Sequence, residues 1–156
     1  MSAKVKQKQD AMEENEIVSK LISYIKGKYG VRPEHPWIRY PEYMTFKDKL
    51  CDKWFVLVMR VSRKTLGLEG DGTICIMNVK EDTEFISFIS HSAGYMPGYH
   101  MNKQHWLSVF LDGTVPMEQI LDRVDESFKN VTDTPSRRIY EAVKRIPRGR
   151  VATYGQ

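Results

Sequence analysis

The chain has 156 residues, 41% hydrophobic and 28% charged, with three Trp, eight Tyr and six Phe. That supplies one domain core plus a small appendage and is too short for two large enzyme domains; it also excludes a disordered polymer. No apolar run approaches the roughly 18 residues of a membrane span, and the polar opening MSAKVKQKQD lacks a secretory signal, so a cytoplasmic protein with no membrane partner is expected.

The formal charge of +4 is unevenly placed. Residues 1–12 carry +2, residues 13–130 carry −2, and the last 26 residues alone carry +4, the pattern of a tail that attracts polyanions. Residues 1–12 read as a disordered basic tail. From Glu13 to Tyr29, the residues Ile17, Leu21, Ile25 and Tyr29 recur every four positions, which predicts an amphipathic helix stopped by Gly30. A loop with Pro33, Pro36 and Pro41 follows. Tyr43 to Lys47, Lys53 to Val61 and Ile74 to Lys80 are dense in aromatic and β-branched residues and read as three antiparallel strands. Their turns are Lys49-Leu50-Cys51-Asp52 and Glu69-Gly70-Asp71-Gly72.

Asp82 is placed to cap a helix striped by Phe85, Ile86 and Ile89 and ending near Gly94. Gly94 to Lys103 reads as a loop, His105 to Leu111 as a strand, and Pro116 as the opening of a helix with Ile120, Leu121, Val124 and Phe128 on its buried side. After the polar break at residues 131–134, Pro135 opens another amphipathic helix with Ile139, Tyr140, Val143 and Ile146. The order predicts an α+β fold, a mainly antiparallel sheet with helices packed against it. The final helix is too short to bury its own stripe and reads as the start of an incomplete second domain, over residues 131–156.

Several segments then coincide in order: Lys53-Trp54-Phe55, Leu66-Gly67-Leu68, Met77-Asn78-Val79-Lys80, the block from Tyr99 to Trp106 (YHMNKQHW), and Leu111-Asp112-Gly113. Together they resemble the MmcQ/YjbR family over about residues 13–130. The resemblance implies a compact α+β domain akin to frataxin-like folds, described as a double wing, with a presumed DNA-binding role. Glu81 departs from it, because relatives often carry a cysteine there followed by Asp-Pro. The tail from Thr134 to Gln156 is similar to the opening of the DNA-binding domain of methylated-DNA cysteine methyltransferases and their alkyltransferase-like relatives. Their recognition helix, their acceptor cysteine in a Pro-Cys-His-Arg segment and their wing are absent here, so no transferase activity is expected of this chain, which reads as a fragment of a longer fusion linked to alkylation repair or regulation. By that resemblance Tyr154 matches the tyrosine that stands near the flipped nucleotide.

Candidate DNA contacts follow. Lys47, Lys49, Lys53, Arg60, Arg63 and Lys64 against Asp48 and Asp52 give residues 44–64 a local +4, which reads either as a set of phosphate contacts or as a solvated face that blunts an edge strand. Tyr99, His100, Asn102 and Lys103 lie on a loop, where polar residues more readily carry function. In the tail, Arg137, Arg138, Arg148, Arg150 and Tyr154 are placed to meet a DNA backbone. Alternation sends Trp106, Ser108 and Phe110 to one face of their strand and Leu107, Val109 and Leu111 to the other, with Trp106 in the core or on a surface platform.

No catalytic residue, metal site or cofactor is expected. His100 and His105 are five apart with no cysteine near, and Cys51 and Cys75 make neither a CxxC nor an evident pair, so both read as plain thiols. Asp122, Asp125 and Glu126 read as an ordinary charged helix exterior. The leading expectation is a non-enzymatic DNA-binding protein that contacts the backbone. The alternative is a protein-interaction or chaperone-like module that positions the C-terminal domain without touching DNA, motivated by the −2 charge of residues 13–130. A small-molecule enzyme using His100 and Lys103 is the least favoured, because no nucleophile and base pair is legible.

Overall fold

A computed structural model describes residues 2–13, 15–133 and 135–145. In chain order it contains α1 (Ala3–Glu13), α2 (Glu16–Tyr29), β1 (Met44–Asp48), β2 (Lys53–Ser62), β3 (Thr73–Lys80), α3 (Thr83–Ile89), β4 (Tyr95–Pro97), β5 (Trp106–Phe110), α4 (Met117–Thr132) and α5 (Pro135–Lys144). The strands form an antiparallel sheet in the order β1-β2-β3-β5-β4, which is the expected α+β architecture.

The structure differs from the sequence reading at three places; one is the expected polar break at residues 131–134, where α4 instead continues through Thr132 with Val131 buried in the core. Residues 3–12, within the stretch read as a disordered tail, are helical, and α1 runs on through Glu13: Ala, Lys and Gln are good helix formers, and α1 gains a tertiary anchor because Met12 is fully buried in the core. Asn15 separates it from α2 by capping, its Oδ1 accepting the amides of Ile17 (3.0 Å) and Val18 (3.2 Å). The third difference is β4, which lies within the expected loop. Three residues ending in Pro97 are tolerated because β4 is the edge strand and needs no outer ladder bonds.

The helix ends follow local chemistry. Gly30 closes α2 in the left-handed conformation (φ 66°) with its amide on the Lys26 carbonyl. Asp82 occupies the N-cap position of α3 without a side-chain bond to it, and Pro116 stands one residue ahead of α4.

One face of the sheet carries the main core. Val18, Leu21 and Ile25 of α2 and Ile120, Val124 and Val131 of α4 pack with Phe46, Phe55, Val58, Met77, Val79, Leu107 and Val109 from the strands. On this side Tyr24 and Tyr29 of α2 donate to Asp125 of α4 at 2.7 and 2.5 Å, and Lys28 pairs with the same carboxylate at 3.0 Å. Those bonds hold Asp125 below the usual carboxylate range against its own desolvation.

The opposite face has a smaller cluster: Met59, Val61, Ile74 and Ile76, with Tyr43, Leu66, Leu68, Tyr99 and Phe110 laid against it. The residues laid on it come from loops and strand ends rather than from a helix. The alternation expected for β5 holds, with Leu107 and Val109 in the main core and Phe110 against the second cluster. Trp106 is half-buried.

Candidate functional site

The second face gathers a cluster of partly exposed aromatic residues. A β-bulge starts the construction. Phe46 pairs with Val56 and Lys47 with Trp54, so Phe55 is the unpaired extra residue. Because of it Phe55 and Val56 both enter the main core, and Trp54 joins Leu57 and Met59 on the opposite side. Without the bulge, strict alternation would put Trp54 on the core side with Val56.

A groove of about 220 Å³ opens there, lined chiefly by Trp37, Tyr40, Tyr43, Trp54, Tyr99 and His100 over a floor of Leu57 and Met59. The rings contact one another: Tyr40 stacks on Tyr43 with centroids 4.7 Å apart, Trp37 meets Trp54 edge-on at 5.6 Å, and Tyr99 lies 4.0 Å from His100. Trp54 is 36% exposed and Tyr40 46%, while the neighbouring Ile38 is 99% exposed. Tyr43 donates to the Arg60 carbonyl at 3.3 Å; burial, assisted by the Glu42 carboxylate and by Tyr40 and Tyr99, pushes its phenol up to about 12, so it stays neutral.

Two buried polar residues fix the far wall. Asn78 and Ser108 are cross-strand partners with no exposed surface. Ser108 Oγ accepts the Tyr99 amide at 2.9 Å and donates to Asn78 Oδ1, while Asn78 Nδ2 donates to the Tyr99 carbonyl at 2.9 Å. Both backbone groups of Tyr99 are therefore held by the sheet. His100, next in the chain, has a positive φ of 57°, a conformation that costs a non-glycine residue free energy and tends to persist at functional positions. The loop's neck needs Gly98, since a Cβ there would lie 2.6 Å from Trp106 Cβ and 2.8 Å from its carbonyl oxygen. Lys103 donates to the Gly98 carbonyl at 3.2 Å.

The sequence candidates separate under this geometry. Tyr99 and His100 line the groove, and Lys103 sits at the neck of their loop. Asn102 does turn work, with Oδ1 accepting the Gln104 amide and its carbonyl accepting those of His105 and Trp106. The basic residues of 44–64 do not form one patch. Lys47 and Lys49 lie by one end of β2 and Arg63 and Lys64 by the other, roughly 30 Å away by strand rise. Lys47 pairs with Asp52 at 2.9 Å, Lys64 lies 3.9 Å from Asp71, and Arg63 donates to the Glu69 carbonyl at 2.8 Å. Arg60 is half-buried within β2. In the tail, Arg138 pairs with Asp133 at 2.9 Å. Thr134, Arg148, Arg150 and Tyr154 lie outside the described residues, as does the side chain of Arg137.

Trp37, Tyr40, Tyr43 and Trp54 were missed as site residues. Their signal was a run of aromatics in a proline-rich loop, with Trp54 two residues past a turn. Among the described residues no three His, Cys, Asp or Glu side chains gather to hold a metal ion, and no helix is long and apolar enough to cross a membrane.

A family model described as YjbR matches residues 26–130. Over 108 residues the chain is 37% identical to the Bacillus subtilis (strain 168) protein YyaQ, spanning 69% of this chain and 92% of that protein. It is 24% identical over 117 residues to YjbR of Escherichia coli (strain K12), spanning 74% and 87% respectively. A crystal structure of a Pseudomonas syringae protein matches with a TM-score of 0.70 and 32% identity, covering 72% of this chain and 97% of that one. A Deinococcus radiodurans protein with a DUF419 domain matches with a TM-score of 0.61 and 25% identity, covering 80% and 87%.

Proposed function

The chain belongs to the YjbR family, and we propose that it is a non-enzymatic DNA-binding module whose aromatic groove takes an unpaired base. The observation that carries this reading is the groove itself: open indole and phenol rings, over an apolar floor, beside a loop whose backbone is clamped in advance by Asn78 and Ser108. Aromatic faces accept any base by stacking, at about 1–3 kcal/mol each. Arg39 and Lys53, exposed and adjacent in sequence to Tyr40 and Trp54, together with Lys103 supply positive charge for the flanking phosphates. The reading shifts the weight of binding from backbone contacts along residues 44–64 to a base in the groove, which favours single strands over duplex. The tail's likeness to the opening of an alkyltransferase DNA-binding domain points to the same ligand class.

Tryptophan fluorescence titrated with a short oligothymidylate at several salt concentrations tests it. Saturable quenching, weaker for duplex of the same length and weakened about tenfold or more in Trp54→Ala, is expected. Absence of quenching at low salt would overturn it.

One observation favours a second reading. Ile38 stands fully in water beside the groove, which suits an apolar peptide segment of a protein partner. In that case quenching follows a peptide with an aromatic or aliphatic anchor, is insensitive to salt, and is absent with the oligonucleotide.

A further inference from the structure

A second concavity lies on the other side of the same proline-rich loop, and we propose that it is a phosphate-binding site. Its volume is about 630 Å³, and it is lined by Ser19, Ser23 and Lys26 from α2 and by Arg32 and His35 from the loop. The helix supplies its three groups by period alone: positions 19, 23 and 26 fall on one face, while Val18, Leu21 and Ile25 turn to the core. The loop is pinned opposite, because Glu34 exchanges both backbone bonds with Thr45 of β1 at 2.9 Å.

The charges in these two segments are sorted. Glu16 pairs with Lys20 at 3.2 Å and Glu34 approaches Lys47 at 3.9 Å. Lys26 and Arg32, the cations that line the concavity, are exposed and have no carboxylate partner among the described residues. His35 contacts the Tyr43 carbonyl through Nδ1 at 3.1 Å, which makes that nitrogen the donor. Its Nε2 is then left for a ligand, accepting from a P–O–H group when the ring is neutral and donating when the ring is protonated.

Two cations, two hydroxyls and an imidazole form a donor set suited to a tetrahedral oxyanion, with the guanidinium able to engage two oxygens at once. Neither serine needs activation, because nothing is transferred; they donate hydrogen bonds. This site does not depend on the DNA reading of the groove. The phosphate source is either a nucleic-acid terminus or a free phosphate, and Tyr43, which reaches one site through its carbonyl and the other through its ring, ties the two concavities together.

The test is a titration of the protein with inorganic phosphate at fixed ionic strength, followed by amide and imidazole NMR shifts. Saturable shifts confined to Ser19, Ser23, Lys26, Arg32 and His35 are expected. Lys26→Ala and Arg32→Ala should each weaken binding by about tenfold, and Trp54→Ala should leave it unchanged. All three substituted residues are exposed, so the fold is expected to hold, and the amide spectrum itself reports it. Shifts that do not saturate, or an affinity unaltered in the Lys26→Ala/Arg32→Ala double variant, overturn the proposal. A trinucleotide with a 5′-phosphate that binds at least tenfold more tightly than both its 5′-hydroxyl form and inorganic phosphate identifies a nucleic-acid end as the source. Inorganic phosphate that binds as tightly as that phosphorylated trinucleotide identifies a free phosphate. Loss of quenching in the groove with phosphate binding retained would sink the DNA reading alone.

Discussion

The two faces of this sheet are finished in different ways. On one, Phe55, Val58, Met77 and Val109 are sealed with the apolar stripes of α2 and α4. On the other, Leu57 and Met59 floor a groove whose walls are loops, and Trp54 and Tyr40 remain partly in water. Burial of whole side chains makes the first face the main source of stability. Incomplete burial leaves aromatic surface open to water on the second. A domain can therefore lose much of its stability through one face without changing the site, and lose the site through the other with little effect on stability. Four substitutions test that separation.

Ile120→Ala on α4 should have the largest effect. Ile120 has no exposed surface, and its truncation leaves a cavity expected to cost about 2–5 kcal/mol. Urea denaturation measures the loss, and ligand quenching measured on the folded protein should be unchanged. A groove that weakened in step with stability would show that the faces are coupled.

Next is a pH effect on the helix-covered side. Glu81 follows β3, is almost fully buried and accepts from Arg123 at 2.7 Å, with that guanidinium also 4.4 Å from the Phe85 ring. Burial outweighs the ion pair and pushes the carboxyl up to about 7. The unfolded chain gives up this proton near 4.5, so between those values the folded state holds more protons and stability falls as pH rises. The loss across that window is on the order of 2–3 kcal/mol. Glu81→Gln should flatten the slope between pH 5 and 7 in denaturation midpoints and leave the groove intact; an equally steep slope in the variant would assign the titration to another group.

Asn78→Ala acts on the buried polar pair behind the groove wall. It removes the donor to the Tyr99 carbonyl and the acceptor for Ser108, leaving buried groups unpaired at about 1–3 kcal/mol. Unlike Ile120→Ala it should also loosen the groove wall, read as faster amide exchange at Tyr99. Unaltered exchange there would mean that the loop is held by other contacts.

The helix-covered face was legible because its signals are periodic. Four-residue spacing in α2 and α4 and alternation in β5 announced which side chains go inward. Two of the groove's six ring residues were also legible, since Tyr99 and His100 stood out in an unusual block. Trp54 was hidden because a bulge, invisible to strict alternation, reverses its face, and Trp37 and Tyr40 sit in a proline-rich loop with no period at all. The local charge of residues 44–64 is dispersed for a related reason: adjacency in sequence along a ten-residue strand is distance in space. Helix α1 escaped notice because its apolar signal is thin: in a polar segment Met12, the residue that anchors it, has Val5, seven positions earlier, as its companion on the same face.

Trp54→Ala is the smallest perturbation to the fold and the sharpest test of the comparison. The indole is already 36% exposed, its contacts are with Trp37 and the groove rather than with the main core, and its backbone stays in the β1–β2 ladder. A loss of under about 1 kcal/mol in denaturation is expected. If the groove is a stacking site, the same change removes one of its two indole faces and weakens the ligand by far more than it weakens the fold. A large stability loss would instead make the aromatic cluster a second core, closed on itself. In that event its exposure would reflect a shortage of covering chain rather than a surface kept open for a ligand.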